Sequence, residues 1–267
     1  VNTQEIDPMP VITGAAQYPE NLIEKMEALG IKVDAMDCLS LAEEAGSSKA
    51  VNIVLMGNLT IIHMNDTHGR DEEEIIITKG DNPQTNHKYG AARRAAYIKE
   101  IKATNDNVLI LHAGDTITGS VYSTVFKGRD EVDIMNMIGV DAATIGNHFV
   151  DYGLENFTEI MKERKFPTLS INIKNRNDNS LYATPYITTN INGLNIAIIG
   201  LTTTDAVYNP EYIKDLIFEE EIKALKDFIK KTPLHKTNDI TILLSHIGLR
   251  YGQLVPWKCR RFHADLI

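Results

Sequence analysis

The sequence predicts an α/β domain built around a mixed β-sheet, with a small appendage at the N-terminus. From residue 59 onward, short apolar runs alternate with stretches of helical periodicity, which is typical of strands covered by helices. The segment Tyr186–Leu201 contains Asn192-Gly193 near its centre, a dipeptide favoured at the turn of a two-residue β-hairpin. Because a hairpin joins antiparallel strands, the sheet is expected to be mixed rather than purely parallel.

Each element follows from a local pattern. Strands are predicted where a short run is mostly apolar, and helices where apolar residues recur every three or four positions. The predicted strands are Leu59–Met64, Val108–Ala113, Ala142–Ile145, Thr168–Ile173, the two arms of the Tyr186–Leu201 hairpin and Ile240–Ser245. The predicted helices are Gly90–Ala103, Val121–Phe126, Val132–Gly139, Leu154–Arg164 and Glu219–Lys230. A polar loop is expected between the first of these strands and the first helix.

The N-terminal segment differs from the rest and is predicted to be an appendage, residues 1–50, to a domain at residues 51–267. Tyr18–Gly30 has helical spacing of its apolar residues and ends at a glycine. A short strand at Ile31–Val33, a second helix around Ser40–Ala45 and a linker at Gly46–Lys49 are expected to follow. No chemistry is assigned to this appendage.

Composition and charge exclude several classes of protein. The chain has 267 residues, 43% hydrophobic and 24% charged, as expected of a folded globular protein. Its net charge of −9 argues against binding a nucleic-acid polymer, whose phosphates favour basic surfaces. No apolar run reaches the roughly 20 residues that cross a bilayer, and no signal peptide is recognised at the N-terminus. Cys38 and Cys259 lack the spacing of a metal site.

Metal-competent side chains follow several of the predicted strands. In chain order they are Asp66 and His68, then Asp115, then Asn147, His148 and Asp151, and finally His246. Ligands of α/β proteins gather beyond the carboxyl ends of the strands. The pattern therefore predicts one site at which these side chains meet.

The donor types indicate a site for transition metals. Imidazole combined with carboxylate and amide oxygens suits Zn, Mn or Fe, whereas Ca²⁺ prefers oxygen ligands alone. Two ions about 3.5–4 Å apart need a shared ligand. Asp115 is predicted to be this bridge, because it follows its strand abruptly after Gly114. The small Gly114 is expected to let the backbone come close to the ions.

His148 and Asp151 are predicted to act as a pair. Asp151 lies three residues after His148, so one tight turn brings the two side chains together. A carboxylate beside an imidazole fixes its tautomer and favours the protonated ring, which suits a group that stabilises developing phosphoryl charge. The residues alone leave open the alternative that His148 is a third metal ligand.

Several segments resemble successive signature blocks of the 5′-nucleotidase family of the calcineurin-like metallophosphoesterases. The segments are LTIIHMNDTHGR, LILHAGDTITGS, TIGNHFVDYGLENF and ILLSHIGLRYG. They stand in the family's order and spacing, and the resemblance covers the chain from about Leu59 to the C-terminus. It implies a metallophosphoesterase domain with four αββα-like layers.

The resemblance also implies roles for individual residues. One divalent ion would be bound by Asp66, His68 and Asp115, and a second by Asp115, Asn147 and His246, with His148 and Asp151 as the catalytic dyad. The implied cofactors are two divalent metal ions, among Zn, Mn, Fe and Mg. The implied activity is the hydrolysis of phosphate esters, with a small-molecule nucleotide as the expected substrate. The implied location is periplasmic, on the cell surface or secreted.

The chain departs from the family's pattern in two respects. Phe149-Val150 stand where family members usually carry Glu-Phe. The family's next block, a Gly-His-x-His turn that completes the metal sites, would follow Ile267, and so would a C-terminal substrate domain. We therefore expect the 267 residues by themselves to be weakly active or inactive.

Two other functions are considered. One is the thiosulfohydrolase-like branch of the same family, against which Gly146-Asn147-His148 argues, and the other is an inactive metal-binding scaffold.

The remaining histidines are predicted to be structural or exposed: His63, His87, His112, His235 and His263. Arg93 and Arg94 are expected on a solvated helix face, and Trp257 and Phe262 are expected to pack rather than to stack on a base.

Overall fold

The computed structural model describes residues 38–40, 52–56, 59–77, 85–204, 210–247 and 263–266. Several predictions fall outside these ranges: the helix at Tyr18–Gly30, the strand at Ile31–Val33, the linker at Gly46–Lys49 and the packing of Trp257 and Phe262. Ser40, placed by the sequence at the start of a helix, ends a short strand instead.

The described chain is an α/β domain. Its strands are β1 Cys38–Ser40, β2 Asn52–Met56, β3 Leu59–Met64, β4 Glu73–Ile77, β5 Thr85–Tyr89, β6 Val108–His112, β7 Ala142–Thr144, β8 Thr168–Leu169, β9 Ile173–Asn175, β10 Tyr186–Ile191, β11 Leu194–Thr202, β12 Leu216–Phe218, β13 Ile240–His246 and β14 His263–Leu266. Its helices are α1 Ala91–Thr104, α2 Val121–Phe126, α3 Arg129–Ile138, α4 Leu154–Glu163, α5 Pro210–Ile213 and α6 Glu221–Lys231, with a 3₁₀ turn at Leu234–Lys236.

The larger sheet has the strand order β1-β2-β3-β6-β7-β8. Strands β3, β6, β7 and β8 run parallel, and β2 and β1 extend the β3 edge in antiparallel fashion. Met64 at the end of β3 pairs with His112 at the end of β6. Because parallel strands end at the same edge of a sheet, the polar segments that follow β3, β6 and β7 lie side by side.

The second sheet has the order β10-β11-β13-β14 and is mixed, as predicted. Strands β10 and β11 form the expected antiparallel hairpin, whereas β11, β13 and β14 are parallel. Asn192 and Gly193 at its turn have φ of 49° and 87°, the left-handed pair that a type I′ turn requires.

Four layers follow from the alternation of side chains along the strands. Ile61 of β3 and Ile242 of β13 belong to the core between the two sheets. Ile62, one residue further along β3, packs on the opposite face under α1 and α3. The outer face of the second sheet packs against α6, for example through Leu243 and Leu225. The predicted αββα arrangement is thereby confirmed.

Some elements differ from the sequence prediction. The predicted polar loop contains a separate hairpin of β4 and β5, whose Ile75 and Ile77 are exposed and therefore carry no pattern of burial. The predicted strand Thr168–Ile173 divides into β8, in the larger sheet, and β9, which pairs with β12. None of the described helices is both long and apolar enough to cross a membrane.

The expectation of a solvated face is wrong for Arg94. Its side chain is 11% exposed, and its Nη2 lies 3.1 Å from Glu131 Oε2 and 3.9 Å from Asp71 Oδ1. Arg93, by contrast, is half exposed beside Glu73. The difference arises because the side chains of consecutive helical residues point about 100° apart. Of the two arginines, Arg94 is therefore the one that faces α3.

Candidate metal centre

The segments after β3 and β6 enter the site through left-handed backbone. The φ angles are 51° at Asp66, 50° at His68 and 55° at Asp115, a region that costs a non-glycine residue roughly 1–2 kcal/mol. Backbone hydrogen bonds hold the two segments together, from Asp66 N to Gly114 O at 3.0 Å and from His68 N to Asp115 O at 3.1 Å. Strained residues of this kind cluster at functional sites, where the surrounding structure fixes them.

Gly114 and Gly146 allow the segments after β6 and β7 to touch. A Cβ atom on Gly114 would lie 2.6 Å from Gly146 N and 2.8 Å from Gly146 Cα. A Cβ atom on Gly146 would collide with the Asp115 carboxylate. Gly114 therefore lets two loops pack backbone to backbone, and its expected closeness to metal ions stays a prediction.

The Asp115 carboxylate is buried, and its two oxygens face different partners. Oδ1 accepts a hydrogen bond from the backbone N–H of His148 at 2.9 Å. Oδ2 lies 3.2 Å from His246 Nε2 and 3.8 Å from His68 Nε2. A single carboxylate oxygen thus lies between two imidazoles that come from different sheets.

His68 and His246 are each oriented by a backbone carbonyl. His68 Nδ1 is 3.1 Å from Ile117 O, and His246 Nδ1 is 2.8 Å from Ala113 O. A carbonyl oxygen only accepts, so each Nδ1 carries a proton and each Nε2 points toward Asp115. This is the arrangement by which metal-binding histidines are usually held.

The charges of the site favour a cation. Burial raises the pKa of Asp66, but hydrogen bonds from His68 and Asn65 and the charge of His246 outweigh it and lower this pKa to about 2. Burial lowers the pKa of His246, but its hydrogen bond to Asp115 and the negative charges nearby raise the pKa overall. His246 Nε2 also lies 2.8 Å from Asn147 Oδ1. A positive charge is therefore stabilised where these oxygens converge.

His148 and Asp151 form a hydrogen-bonded pair. The backbone turns tightly, with Asp151 N donating to His148 O at 3.1 Å, and His148 Nδ1 donates to Asp151 Oδ2 at 2.7 Å. The His148 side chain is 40% exposed, and its ring meets that of His68 edge to face at 5.1 Å between centroids. Phe149 and Val150, at the departure from the family pattern, are buried in the core under α4.

The donors form two overlapping groups within the part of the chain that the structure describes. One group is His68, Asp115 and His148, and the other is Asp66, Asp115 and His246; in each, one possible ligand atom per residue lies within 4.8 Å of the others. Imidazole nitrogens and carboxylate oxygens at this spacing suit divalent transition metals. Asp66 Oδ1 is also 3.4 Å from His68 Nε2, so Asp66 is within reach of both groups.

The structure thus brings together every residue that the sequence proposed for the site. Sequence reasoning missed the polar contacts beneath it, among them the pairing of Thr67 with His112. No local pattern indicated that pair, although the place of His112 three residues before Asp115 is compatible with a residue that orients a metal ligand. His63 is fully buried, and neither ring nitrogen has a hydrogen-bond partner among the described residues; burial lowers its pKa to about 4. The interpretation of His63 and His112 as buried structural histidines agrees with their burial.

The sequence pattern of the calcineurin-like phosphoesterases matches residues 59–267, and the chain belongs to this family. A rat 5′-nucleotidase is 34% identical over 212 residues, which cover 76% of this chain and 36% of that protein. The chain therefore spans little more than a third of the length of these curated relatives.

Solved structures confirm the fold. The NAD nucleotidase of Haemophilus influenzae superposes with a TM-score of 0.64 at 30% identity, covering 74% of this chain and 35% of that one. A sulfate thiohydrolase of Thermus thermophilus superposes with a TM-score of 0.66 over 78% of this chain and 47% of that one, at 19% identity. At that identity the likeness concerns the fold alone.

Proposed function

We propose that the chain carries the two-metal site of a phosphoesterase that hydrolyses nucleotides to release phosphate. The observation that carries the proposal is the position of Asp115 Oδ2, which lies between His68 Nε2 and His246 Nε2 at 3.8 Å and 3.2 Å. Kinship with the 5′-nucleotidases supports a nucleotide as the substrate. No feature of the described residues favours the thiosulfohydrolase alternative.

Two divalent ions, from among Zn, Mn, Fe and Mg, are the proposed cofactors. Asp66, His68 and Asp115 would hold one ion, and Asp115, Asn147 and His246 the other. When bound, the pair would supply Lewis-acid polarisation of the phosphoryl oxygens and a more acidic water molecule. The fixed Nδ1–H bonds of His68 and His246 present Nε2 to these ions without reorganisation.

His148 is proposed to act on the substrate rather than on the ions. Its Nδ1–H is fixed by Asp151, so Nε2 is the atom available to the reaction. In the protonated ring this N–H donates to a phosphoryl or leaving-group oxygen, and the Asp151 carboxylate stabilises the imidazolium. Partial exposure of the His148 ring agrees with a group that meets substrate at the surface.

We also propose that the protein acts outside the cytosol, in the periplasm, on the cell surface or after secretion. This proposal rests on kinship with the 5′-nucleotidases alone. Cell fractionation with an antibody against the chain tests it, and recovery only with cytosolic markers would contradict it.

Phosphate release is the direct test of the activity. The chain, alone or within a longer protein that contains it, is assayed with a nucleoside 5′-monophosphate, an aryl phosphate and an S-substituted thiosulfate. The chain alone is expected to release phosphate weakly or not at all. The longer protein is expected to release phosphate that EDTA abolishes and Mn²⁺ restores, and its Asp115→Asn variant is expected to have kcat/KM lowered by more than about 10²-fold.

The matched control is Asp133→Asn, the same substitution at an exposed position of α3. Activity of Asp133→Asn is expected to equal that of the wild type. Turnover of the thiosulfate alone, or equal activity in the two variants, would refute the proposed function.

A further inference from the structure

His112 lies at the end of β6 with no exposed surface. Its Nδ1 accepts a hydrogen bond from the backbone N–H of Gly114 at 3.1 Å. An amide N–H only donates, so Nδ1 carries no proton, and in the neutral ring the proton is on Nε2. Burial lowers the pKa of His112 well below its ordinary value, so the ring stays neutral and this tautomer persists.

The second ring nitrogen reaches the neighbouring loop. His112 Nε2 lies 3.3 Å from Thr67 Oγ1, and with the proton on Nε2 the ring donates to this hydroxyl. Thr67 stands between Asp66 and His68, and Gly114 immediately precedes Asp115. One imidazole therefore connects the two loops that carry three of the proposed ligands.

These loops need such a connection because of their backbone. Asp66, His68 and Asp115 all have left-handed φ, and each such residue costs roughly 1–2 kcal/mol. Strain of this kind persists only where neighbouring contacts over-determine the conformation. Thr67 and Gly114, to which the two ring nitrogens of His112 are hydrogen-bonded, lie directly beside the strained positions.

We propose that His112 is a positioning residue, whose neutral ring connects Thr67 to Gly114 and so sets the spacing of Asp66 and His68 relative to Asp115. The inference deepens the proposed function and rests on it for the identity of the ligands. His112 itself touches neither ions nor substrate in this account and acts through the two loops.

The first test concerns the tautomer and needs no metal. Nitrogen-15 spectra of histidine side chains are recorded for the chain after EDTA treatment, and the His112 signals are assigned by their loss in His112→Gln. We expect a neutral ring with its proton on Nε2 at pH 7. A ring protonated on Nδ1 would overturn the proposal, because such a nitrogen does not accept from Gly114.

The second test measures Mn²⁺ affinity by calorimetry. Thr67→Val removes the hydroxyl with little change of shape, and Thr67→Ser keeps it. We expect Thr67→Val to bind Mn²⁺ about tenfold more weakly, in the range usual for groups that orient metal ligands, and Thr67→Ser to bind as the wild type does. Thr60→Val is the matched control, since Thr60 is buried as Thr67 is but lies within β3, before the site. The Mn²⁺ affinity of this variant is expected to be unchanged.

The free energy of unfolding without metal is measured for all variants, so that a general loss of stability is separated from a change in affinity. Equal Mn²⁺ affinity in Thr67→Val and the wild type would overturn the inference even if nucleotides are hydrolysed. A longer protein that contains the chain and binds Mn²⁺ in the expected rank order, but hydrolyses no nucleotide, would refute the proposed function and leave the inference in place.

Discussion

His148 and Asp115 are linked by a hydrogen bond, but we propose different roles for their side chains: Asp115 binds metal ions and His148 acts on the substrate. The backbone N–H of His148 donates to Asp115 Oδ1, while its ring turns away to Asp151. The ring nevertheless comes close enough to His68 and Asp115 to belong to one group of possible metal donors. A variant that lacks the His148 ring therefore distinguishes the proposed catalytic role from that of a metal ligand.

The first prediction separates these two roles. His148→Ala is expected to lower kcat by roughly 10²–10⁴-fold, the usual contribution of a general acid or base, while the metal content of the protein stays at the wild-type level. Steady-state kinetics and elemental analysis are performed on the same sample. Parallel loss of metal and activity would instead make His148 a ligand.

Asp71 is the most perturbed carboxyl group near the site. Burial and the negative charges of Glu131 and Asp130 raise its pKa to about 8, against the opposing effect of Arg94. The folded protein therefore holds a proton on Asp71 between about pH 4 and pH 8, a range in which the unfolded chain has lost it. Stability is consequently lost as the pH rises through this window.

The second prediction follows from this loss of stability with rising pH. Asp71→Asn cannot ionise, so its free energy of unfolding relative to the wild type is expected to increase from pH 5 to pH 8. The increase is at most about 1.4 kcal/mol per pH unit, the limit for one proton. Urea unfolding at several pH values measures it, with Asp133→Asn as the exposed control. A constant difference between Asp71→Asn and the wild type would show that Asp71 titrates normally.

The ends of β6 and β7 depend on the contact between Gly114 and Gly146. Gly114 combines a positive φ of 101° with a close approach to the backbone of Gly146, whereas Gly153 has a positive φ of 90° and nothing within 4 Å of an added Cβ. The two glycines therefore allow strain and collision to be distinguished.

The third prediction uses this pair. Gly153→Ala is expected to lose only the stability that alanine costs at φ 90° and ψ 151°, a region essentially restricted to glycine, which is roughly 1–3 kcal/mol. Gly114→Ala is expected to lower the free energy of unfolding by more than Gly153→Ala does. It is also expected to weaken Mn²⁺ binding, because Asp115 is displaced. Unfolding and calorimetry on both variants test it. Equal losses of stability with unchanged Mn²⁺ affinity would mean that the contact with Gly146 does not position Asp115.

Strands and helices with a buried face were predictable from the sequence, because burial imposes a periodic pattern, as in Leu59–Met64 and Leu154–Glu163. The β4–β5 hairpin was not, because Ile75 and Ile77 are exposed and because, among the described strands, β4 and β5 pair only with each other. Arg94 was misjudged since its partner Glu131 lies 37 residues away. For the same reason the contact of Thr67 with His112, 45 residues apart, left no local trace.

The site as a whole requires both sheets. The proposed ligands follow β3, β6 and β7 of one sheet, whereas His246 ends β13 of the other sheet and is held by a hydrogen bond to the carbonyl of Ala113. The chemistry of the strand ends was predictable from the sequence, as was their convergence. The sequence did not predict that the two carboxylate oxygens of Asp115 have different partners. Oδ1 accepts from the His148 backbone, and Oδ2 lies between His68 and His246.

Anomalous diffraction from a crystal grown with Mn²⁺ tests the central claim most directly. The account predicts two peaks about 3.5–4 Å apart, with Asp115 Oδ2 between them, His68 on one side and His246 on the other. The corresponding map of Asp115→Asn should lose both peaks or show them strongly weakened. A single peak, or any pair of peaks that Asp115 does not touch, would contradict the account.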